Sequence, residues 1–316
     1  MFHKEATKRI LVSVLLTVSL SLSGVAQGRV YLFSYFRGNG EDGLHLAYSK
    51  DGFSWAALNK DSSFLAPVVG VSKLMRDPCI IRTKDGVFHM VWTTGWTERG
   101  IGYAASMDLI HWSPQKYLQV MNNEPDAMNC WAPEIVYDGK KKQFLIFWST
   151  TITGRFTETE AAEEDRYNHR IYYITTPNFI IFSEPKLFYD PGFNVIDATI
   201  VRNRGKYFMF LKDETLAPLQ KNIRMAKGRR LYGPYGAASP PVTGKYRAEG
   251  PTAIKIGKRW IVYFDKYTEG KYGAVCTTDL RTWEDISDRI RFPEGARHGT
   301  VFEADEKILD NLLKKQ

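Results

Sequence analysis

The 316-residue sequence lacks most of the features that would mark a stapled, fibrous or membrane-embedded protein. It has three cysteines, Cys79, Cys130 and Cys276, and no two are spaced like zinc ligands. Three thiols exclude a disulfide framework; at most one bridge exists, and buried free thiols are the simpler reading. Long helical patterns are scarce. The apolar stretch Ile10 to Leu22 is too short to span a bilayer comfortably. The net charge is +8, yet no lysine tract or basic helix gathers it, which argues against a nucleic-acid partner. With 44% hydrophobic and 25% charged residues, a collagen-like, disordered or multi-span chain is excluded. What the sequence does have is aromatics: 8 Trp, 17 Tyr and 18 Phe. Aromatic residues favour strands, so the composition points to an all-β protein.

The first 26 residues read as an address. Lys4, Lys8 and Arg9 form a basic start, Ile10 to Leu22 an apolar middle, and Ser23, Gly24 and Ala26 a small-residue cleavage region. This is the pattern of a secretory signal peptide cut near Ala26–Gln27, with a membrane anchor as the alternative. The expectation is a periplasmic or secreted, monomeric protein with one domain over 27–316 and no membrane span after cleavage. The remaining positive charge is spread along the chain and reads as surface chemistry.

The body repeats five times. A seven-residue turn recurs from Ser49 to Trp55, Ser106 to Trp112, Thr176 to Phe182, Ala226 to Tyr232 and Thr277 to Trp283. Each ends in an aromatic that can plug an outer strand. A second element opens each unit: Arg76-Asp77-Pro78, Trp131-Ala132-Pro133, Ile196-Asp197-Ala198, Glu249-Gly250-Pro251 and His298-Gly299-Thr300. Alternating aromatic strands follow at Val87 to Thr93, Gln143 to Ser149, Lys206 to Leu211 and Trp260 to Asp265. A spacing of roughly 50 to 70 residues suits four-stranded blades. The fifth unit holds only its innermost strand, and its missing strands fit Val30 to Tyr35, Leu44 to Ser49 and Phe53 to Leu58. The fold expected is a five-bladed β-propeller closed by strands from both termini, which leaves no open edge. Ile308, Leu309, Leu312 and Leu313 predict a short helix under the ring.

Inner strands of such a ring begin at one mouth, and the loops between strands two and three return to it. Those loops are Gly38–Gly43, Thr94–Gly100, Thr150–His169, Asp213–Asn222 and Lys266–Lys271. The third is too long for a simple hairpin and reads as a wall or lid. Asp77, Asp197 and Glu249 meet at the mouth from three units, with Trp131 and His298 from the other two. Three carboxylates around one channel repel one another and raise at least one pKa. A protonated acid beside an ionised base is what glycoside hydrolysis requires.

Taken together and in order, these elements resemble glycoside hydrolase family 43, the five-bladed arabinosidases and xylosidases. The resemblance covers residues 30 to 302. It implies an inverting reaction with Asp77 as general base, Glu249 as general acid and Asp197 holding the acid protonated. The favoured substrate class is an α-L-arabinofuranoside cleaved from the chain end, with β-xyloside and galactoside as alternatives. His298 matches a channel histidine that touches a cation or water in some members. No cofactor is required; a Ca2+ or Na+ ion in the central channel is what the resemblance allows. Trp131 is either a sugar platform or a channel plug, and Trp96 is the better exposed platform. Arg76, Arg155, Asp213, Glu214 and Arg297 are candidates for hydrogen bonds to sugar hydroxyls. Glu41 and Asp42 stand in a mouth loop as sugar ligands or rivals for the base role.

A retaining fructan hydrolase would share Arg76-Asp77-Pro78. It would also need an Asn-Asp-Pro element one unit earlier and a Glu-Cys acid, where this chain has Asn39-Gly40-Glu41 and Glu249-Gly250. A sialidase would need longer turns and an arginine triad. A carbohydrate-binding propeller without catalysis would not need the carboxylate trio.

Overall fold

A computed structural model of the chain describes residues 29–160 and 167–315. The expected signal segment 1–26 and the loop residues Glu163, Glu164, Asp165 and Arg166 lie outside the described residues. Alternating apolar residues make antiparallel strands that pair with their chain neighbours. Blade one takes β1 (Arg29–Tyr35), β2 (His45–Ser49) and β3 (Ala56–Ala57). Blade two takes β4 (Arg76–Arg82), β5 (Phe88–Thr93), β6 (Ile101–Ser106) and β7 (Lys116–Leu118). Blade three takes β8 (Trp131–Asp138), β9 (Gln143–Thr150), β10 (Arg170–Thr176) and β11 (Lys186–Tyr189). Blade four takes β12 (Val195–Asn203), β13 (Lys206–Asp213) and β14 (Asn222–Gly228). Blade five takes β15 (Glu249–Ile256), β16 (Arg259–Lys266), β17 (Lys271–Thr277) and β18 (Glu284–Asp285). Finally β19 (Thr300–Asp305) pairs with β1 as the innermost strand of blade one. The result is the expected five-bladed propeller, closed by both ends of the described chain.

The aromatic surplus lies between the blades. Trp92 and Phe88 are sealed between blades one and two, Trp148 between two and three, Phe147 between three and four, Phe264 between four and five, and Phe33 between five and one. Burying one such ring contributes about 1.5–3 kcal/mol. The tail forms α1 (Glu306–Lys314), whose Ile308, Leu309 and Leu312 seal the base of the cluster between blades one and two. Leu313, expected on the same face, is exposed because it sits about 100° round the helix from Leu312.

The repeated turn works through two side chains. Ser49, Ser106, Thr176 and Thr277 each accept from the amide three residues on, and Asp51, Asp108, Asn178 and Asp279 from the amide two residues on. The residue between is left-handed: Gly52, Leu109, Phe179 and Leu280 have φ of 78°, 65°, 55° and 57°. At three of the turns this residue, not the terminal aromatic alone, enters the core: Leu109, Phe179 and Leu280 are buried. Phe182 is a correction to the expected plugs, since it is exposed while Phe179 stacks on Tyr103 at 3.9 Å. The copy from Ala226 to Tyr232 has neither polar side chain, and blade four has no fourth strand among the described residues; only a bridge from Gly228 to Tyr235 stands there. The outer strand expected at Phe53 to Leu58 is reduced to two residues, because Trp55 donates instead to the Arg291 carbonyl. No helix among the described residues is long and apolar enough to cross a membrane.

Four inner strands start with a one-residue bulge. The register slips between Arg76 and Cys79, Trp131 and Glu134, Ile196 and Thr199, and Glu249 and Thr252. Asp77, Ala132, Asp197 and Gly250 take left-handed φ of 51°, 45°, 54° and 58° there. The bulge opens the ladder, so Pro78, Pro133 and Pro251 cost no hydrogen bond. At the closure, Gly299 leaves no room for a side chain: a Cβ there would overlap the Ser34 carbonyl oxygen. Gly299→Ala is therefore expected to destabilise by about 1–3 kcal/mol, read as a lower urea midpoint; an unchanged midpoint would show that this contact does not hold the ring closed.

Candidate active site

The mouth holds a cavity of about 440 Å³. Asp77, Asp197, Glu249, Arg76, Trp96, Trp131, Arg297 and His298 all line it. Asp77 and Asp197 occupy the left-handed bulge position, whereas Glu249 stands one residue earlier, in register with Arg76, Trp131 and Ile196. The three carboxylates therefore come from two adjacent repeat positions, the offset that the aligned openings carry. A kink of one residue turns consecutive positions of a strand toward the same cavity, which a regular pleat cannot do.

Asp77 is an ionised acceptor. Thr93 donates to its Oδ2 at 2.8 Å, and His298 Nδ1 lies 3.3 Å from its Oδ1. Burial pushes this carboxyl up, but the His298 hydrogen bond and charge, Arg76 and Thr93 outweigh it and hold the pKa at about 2. His298 responds in the opposite sense. Burial pulls the imidazole down, yet the charges of Asp197, Asp77 and Glu249 lift it to about 9. Below it, Glu134 accepts from Thr199 and Thr300 at 3.0 and 3.3 Å, and burial raises it to about 7.

Glu249 is held between two cations. Lys212 donates to Oε2 at 2.9 Å and Arg297 to Oε1 at 3.1 Å. Burial favours its neutral form, but Lys212 and then Arg297 outweigh burial and lower its pKa. Asp197 moves the other way: burial and the charges of Glu249 and Asp77 raise it, against His298 and Lys212. Its Oδ2 accepts from the Gly250 amide at 2.9 Å, which places it beside Glu249. The raised pKa expected among the trio thus belongs to Asp197. Arg297 is also bound to Asp265 at 2.7 Å, so both of its ends are committed to carboxylates. Lys212 is shared: Glu214 Oε2 lies 2.7 Å from the same Nζ. Glu214 also pairs with Lys221.

One wall is aromatic. Trp131 donates to the Trp96 carbonyl at 2.8 Å and meets Trp96 edge-on at 5.5 Å, Tyr167 at 4.8 Å and His169 at 4.6 Å. Trp131 lines the cavity rather than plugging the channel. His169 is neutral, held down to about 3 by burial, and bridges Asn129 at 2.8 Å and Asn194 at 3.1 Å. The loop that brings Tyr167 and His169 is anchored by buried Arg170, which bonds Asp190, Asn168 and Thr159.

Some expected ligands stand elsewhere. Glu41 is exposed, accepts from the Asn39 amide at 3.0 Å and does not line the cavity. Asp42 pairs with His45 at 2.9 Å. Neither faces Asp77 as a rival base; their loop instead sends Asn39 to Arg76 and Trp96. Arg155 pairs with Glu124, and Asp213 with Arg224, outside the cavity lining. Unforeseen were Lys212, Asp265, Thr93, His169, Asn194 and Tyr267. Lys212 and Asp265 had one signal, a charged residue ending an otherwise apolar strand two.

Among the described residues no group of three or more His, Cys, Asp or Glu could hold a metal. His298 Nδ1 is committed to Asp77, and no step is routed through an ion. The histidine also gives a pH signature. Its folded pKa of about 9 exceeds its ordinary 6.5, so its charge stabilises the fold in full below 6.5 and ceases to do so as pH rises through 9. The thermal midpoint of the wild type is expected to fall several degrees more than that of His298→Gln across that window. Parallel melting curves would contradict the pairing.

The comparisons fit this geometry. A family model described as a probable glycosyl hydrolase domain, of the glycosyl hydrolase 43-related family, matches residues 27–310. An α-L-arabinofuranosidase of Bifidobacterium longum subsp. longum is 26% identical over 220 residues, which are 58% of this chain and 21% of that protein. The chain thus spans about a fifth of that curated relative. Among solved structures, an α-L-arabinofuranosidase from Lactobacillus brevis superposes with a TM-score of 0.53 at 17% identity, covering 67% of this chain and 72% of that one. The Bacteroides ovatus xyloglucan PUL GH43B protein gives 0.52 at 20% identity, covering 71% and 42%. An exo-β-1,3-galactanase from Clostridium thermocellum gives 0.52 at 12%, covering 70% and 50%. At these identities the structures speak for the fold alone. The match of the family model across nearly the whole propeller shows that the chain belongs to the glycosyl hydrolase 43-related family.

Proposed function

We propose that the protein is an inverting, exo-acting glycoside hydrolase that removes α-L-arabinofuranosyl groups from plant-type polysaccharide or oligosaccharide. The observation that carries this reading is the meeting of Asp77, Asp197 and Glu249 in one cavity, with Asp197 set beside Glu249 by its bond from the Gly250 amide. Asp77 activates a water; its hydrogen bonds from Thr93 and His298 fix which oxygen lone pairs remain for that water. Glu249 protonates the leaving oxygen. A proton shared by the pair favours Asp197 over Glu249 while Lys212 and Arg297 lower the Glu249 pKa. Lys212 already touches Glu214, so its retreat from Glu249 needs no new partner. With Lys212 withdrawn, the Glu249 pKa rises and the proton moves to the leaving-group side. The aromatic wall of Trp131, Tyr167 and His169 closes one side of the cavity, which supports action at a chain end. The arabinofuranosidase among the relatives supports that sugar over xyloside or galactoside. The basic and apolar start of the sequence supports action outside the cytoplasm.

A panel of aryl α-L-arabinofuranosides, β-D-xylosides and β-D-galactosides tests the reading. Turnover is expected first on the arabinofuranoside. Glu249→Gln and Asp77→Asn are each expected to lower kcat/KM at least about a hundredfold while the fold persists; full activity in either variant sinks the assignment. In the wild type, kcat/KM falls on the alkaline side as Asp197 and Glu249 lose their shared proton. Lys212→Met removes the charge that favours ionised Glu249, so this limb should move to higher pH. A limb that stays in place, or moves down, would show that Lys212 does not control the acid.

A further inference from the structure

The cations that line the cavity are almost all neutralised in place. Lys212 pairs with Glu249 and Glu214, Lys221 with Glu214, Arg297 with Glu249 and Asp265, and His298 with Asp77. Arg76 differs. Among the described residues no carboxylate stands within ion-pair distance of it. Its hydrogen bonds go only to Asn39, from Nη1 to Oδ1 at 2.8 Å and to the carbonyl oxygen at 3.4 Å. Its Nε and Nη2 donate to no atom of the described residues. The guanidinium is nevertheless fixed in place: it lies 4.2 Å from the centre of the Trp96 ring and 4.7 Å from that of Phe36. Asn39 is itself locked, because its Oδ1 also accepts from Trp96 Nε1 at 3.1 Å.

This cation is pre-organised and has no carboxylate in direct contact; its charge acts on the neighbouring Asp77 only from a distance. Asn39 and the two rings orient it without neutralising it. A stacked guanidinium with an open donor edge matches a carboxylate, which takes two parallel hydrogen bonds from it. A pair of sugar hydroxyls could accept from the same edge but would leave the charge uncompensated in a half-buried wall. Without the expected signal segment the chain still carries +6 (+8 less the +2 of Lys4, Lys8 and Arg9 against Glu5), which favours approach to a polyanion. We propose that the substrate is an acidic glycan, in which a uronate carboxylate within one sugar of the cleaved bond docks on Arg76. This rests on the glycosidase reading above and narrows its substrate class.

The test uses the full chain and one matched pair of oligosaccharides. Both carry the same arabinofuranosyl branch on a uronate chain, one as the free acid and the other as the methyl ester. Wild-type enzyme is expected to favour the free acid in kcat/KM by on the order of tenfold at low salt, with the preference shrinking as salt rises. Arg76→Gln should bring the ratio close to one, with Arg76→Lys between. Equal rates on acid and ester by the wild type overturn the proposal. So does an Arg76→Gln variant that loses both substrates alike, since Arg76 would then hold a neutral sugar. Calorimetric titration with galacturonate and its methyl ester reads the same preference without turnover. Equal binding of the two counts against the acidic glycan, whereas an absence of hydrolysis on every substrate counts against the glycosidase reading instead.

Discussion

The site depends on a bulge of one residue at the start of the inner strands. A regular strand sends alternate side chains to opposite faces, so it can offer the channel only every second residue. The slip at Arg76/Cys79 and at Glu249/Thr252 breaks that parity. It lets Arg76 and Asp77 line the cavity together, and sets Gly250 against the His298 ring, where a Cβ would overlap it. Asp is among the few residues with side chains that enter the left-handed region at modest cost, which is consistent with aspartates at two of the four bulges. The amides freed by the bulges are satisfied across blades: Ala132 by Thr93, Asp197 by Ser149 and Gly250 by Asp197. Folding and chemistry share these atoms, since Thr93 also donates to Asp77.

Charge density is the second constraint. Asp77, Asp197, Glu249, Asp265 and Glu214 stand around one mouth, and such a cluster would repel itself without counter-charges. Lys212, Lys221, Arg297 and His298 supply them. The consequence is division of labour by environment. Asp77 is ionised by its donors, Asp197 is raised to about 6 by burial and its neighbouring carboxylates, and Glu249 is poised by a lysine that two glutamates share. Arg76 enters this balance only through the field it exerts on Asp77 and has no direct carboxylate partner, which leaves its donor edge for a ligand to meet.

Much of the fold was legible because repetition amplifies weak signals. The Ser-Lys-Asp and Ser-Met-Asp turns recur, the inner-strand openings recur, and the terminal strands fit as the two parts of one blade. Asp77, Asp197, Glu249, Trp131 and His298 were found in the same way, by their place in those openings. The openings did not reveal the bulge itself, so they did not show that Asp77 and Asp197 take the left-handed position while Glu249 stays in the ladder beside Arg76. Lys212 and Asp265 were hidden because a charged residue ending an apolar strand reads as the solvated end of that strand. Their burial comes from neighbouring blades, which no local pattern reports. Glu41 was misplaced for a related reason. Its loop reaches the mouth, but left-handed Gly38 and Gly40 turn it so that Asn39, not the carboxylate, meets Arg76. Blade four lost its outer strand where the turn lost its Ser/Thr and Asp/Asn, a correlation visible only once the turn's hydrogen bonds were known.

The central claim is that Asp77 and Glu249 act from opposite sides of one sugar on a water and a leaving group. Proton NMR of the first sugar released from an aryl α-L-arabinofuranoside, recorded before mutarotation, tests it most directly. The account predicts the β-anomer as the initial product. An initial α-anomer would contradict it, because retention requires a covalent intermediate on a carboxylate and not a water held by Asp77.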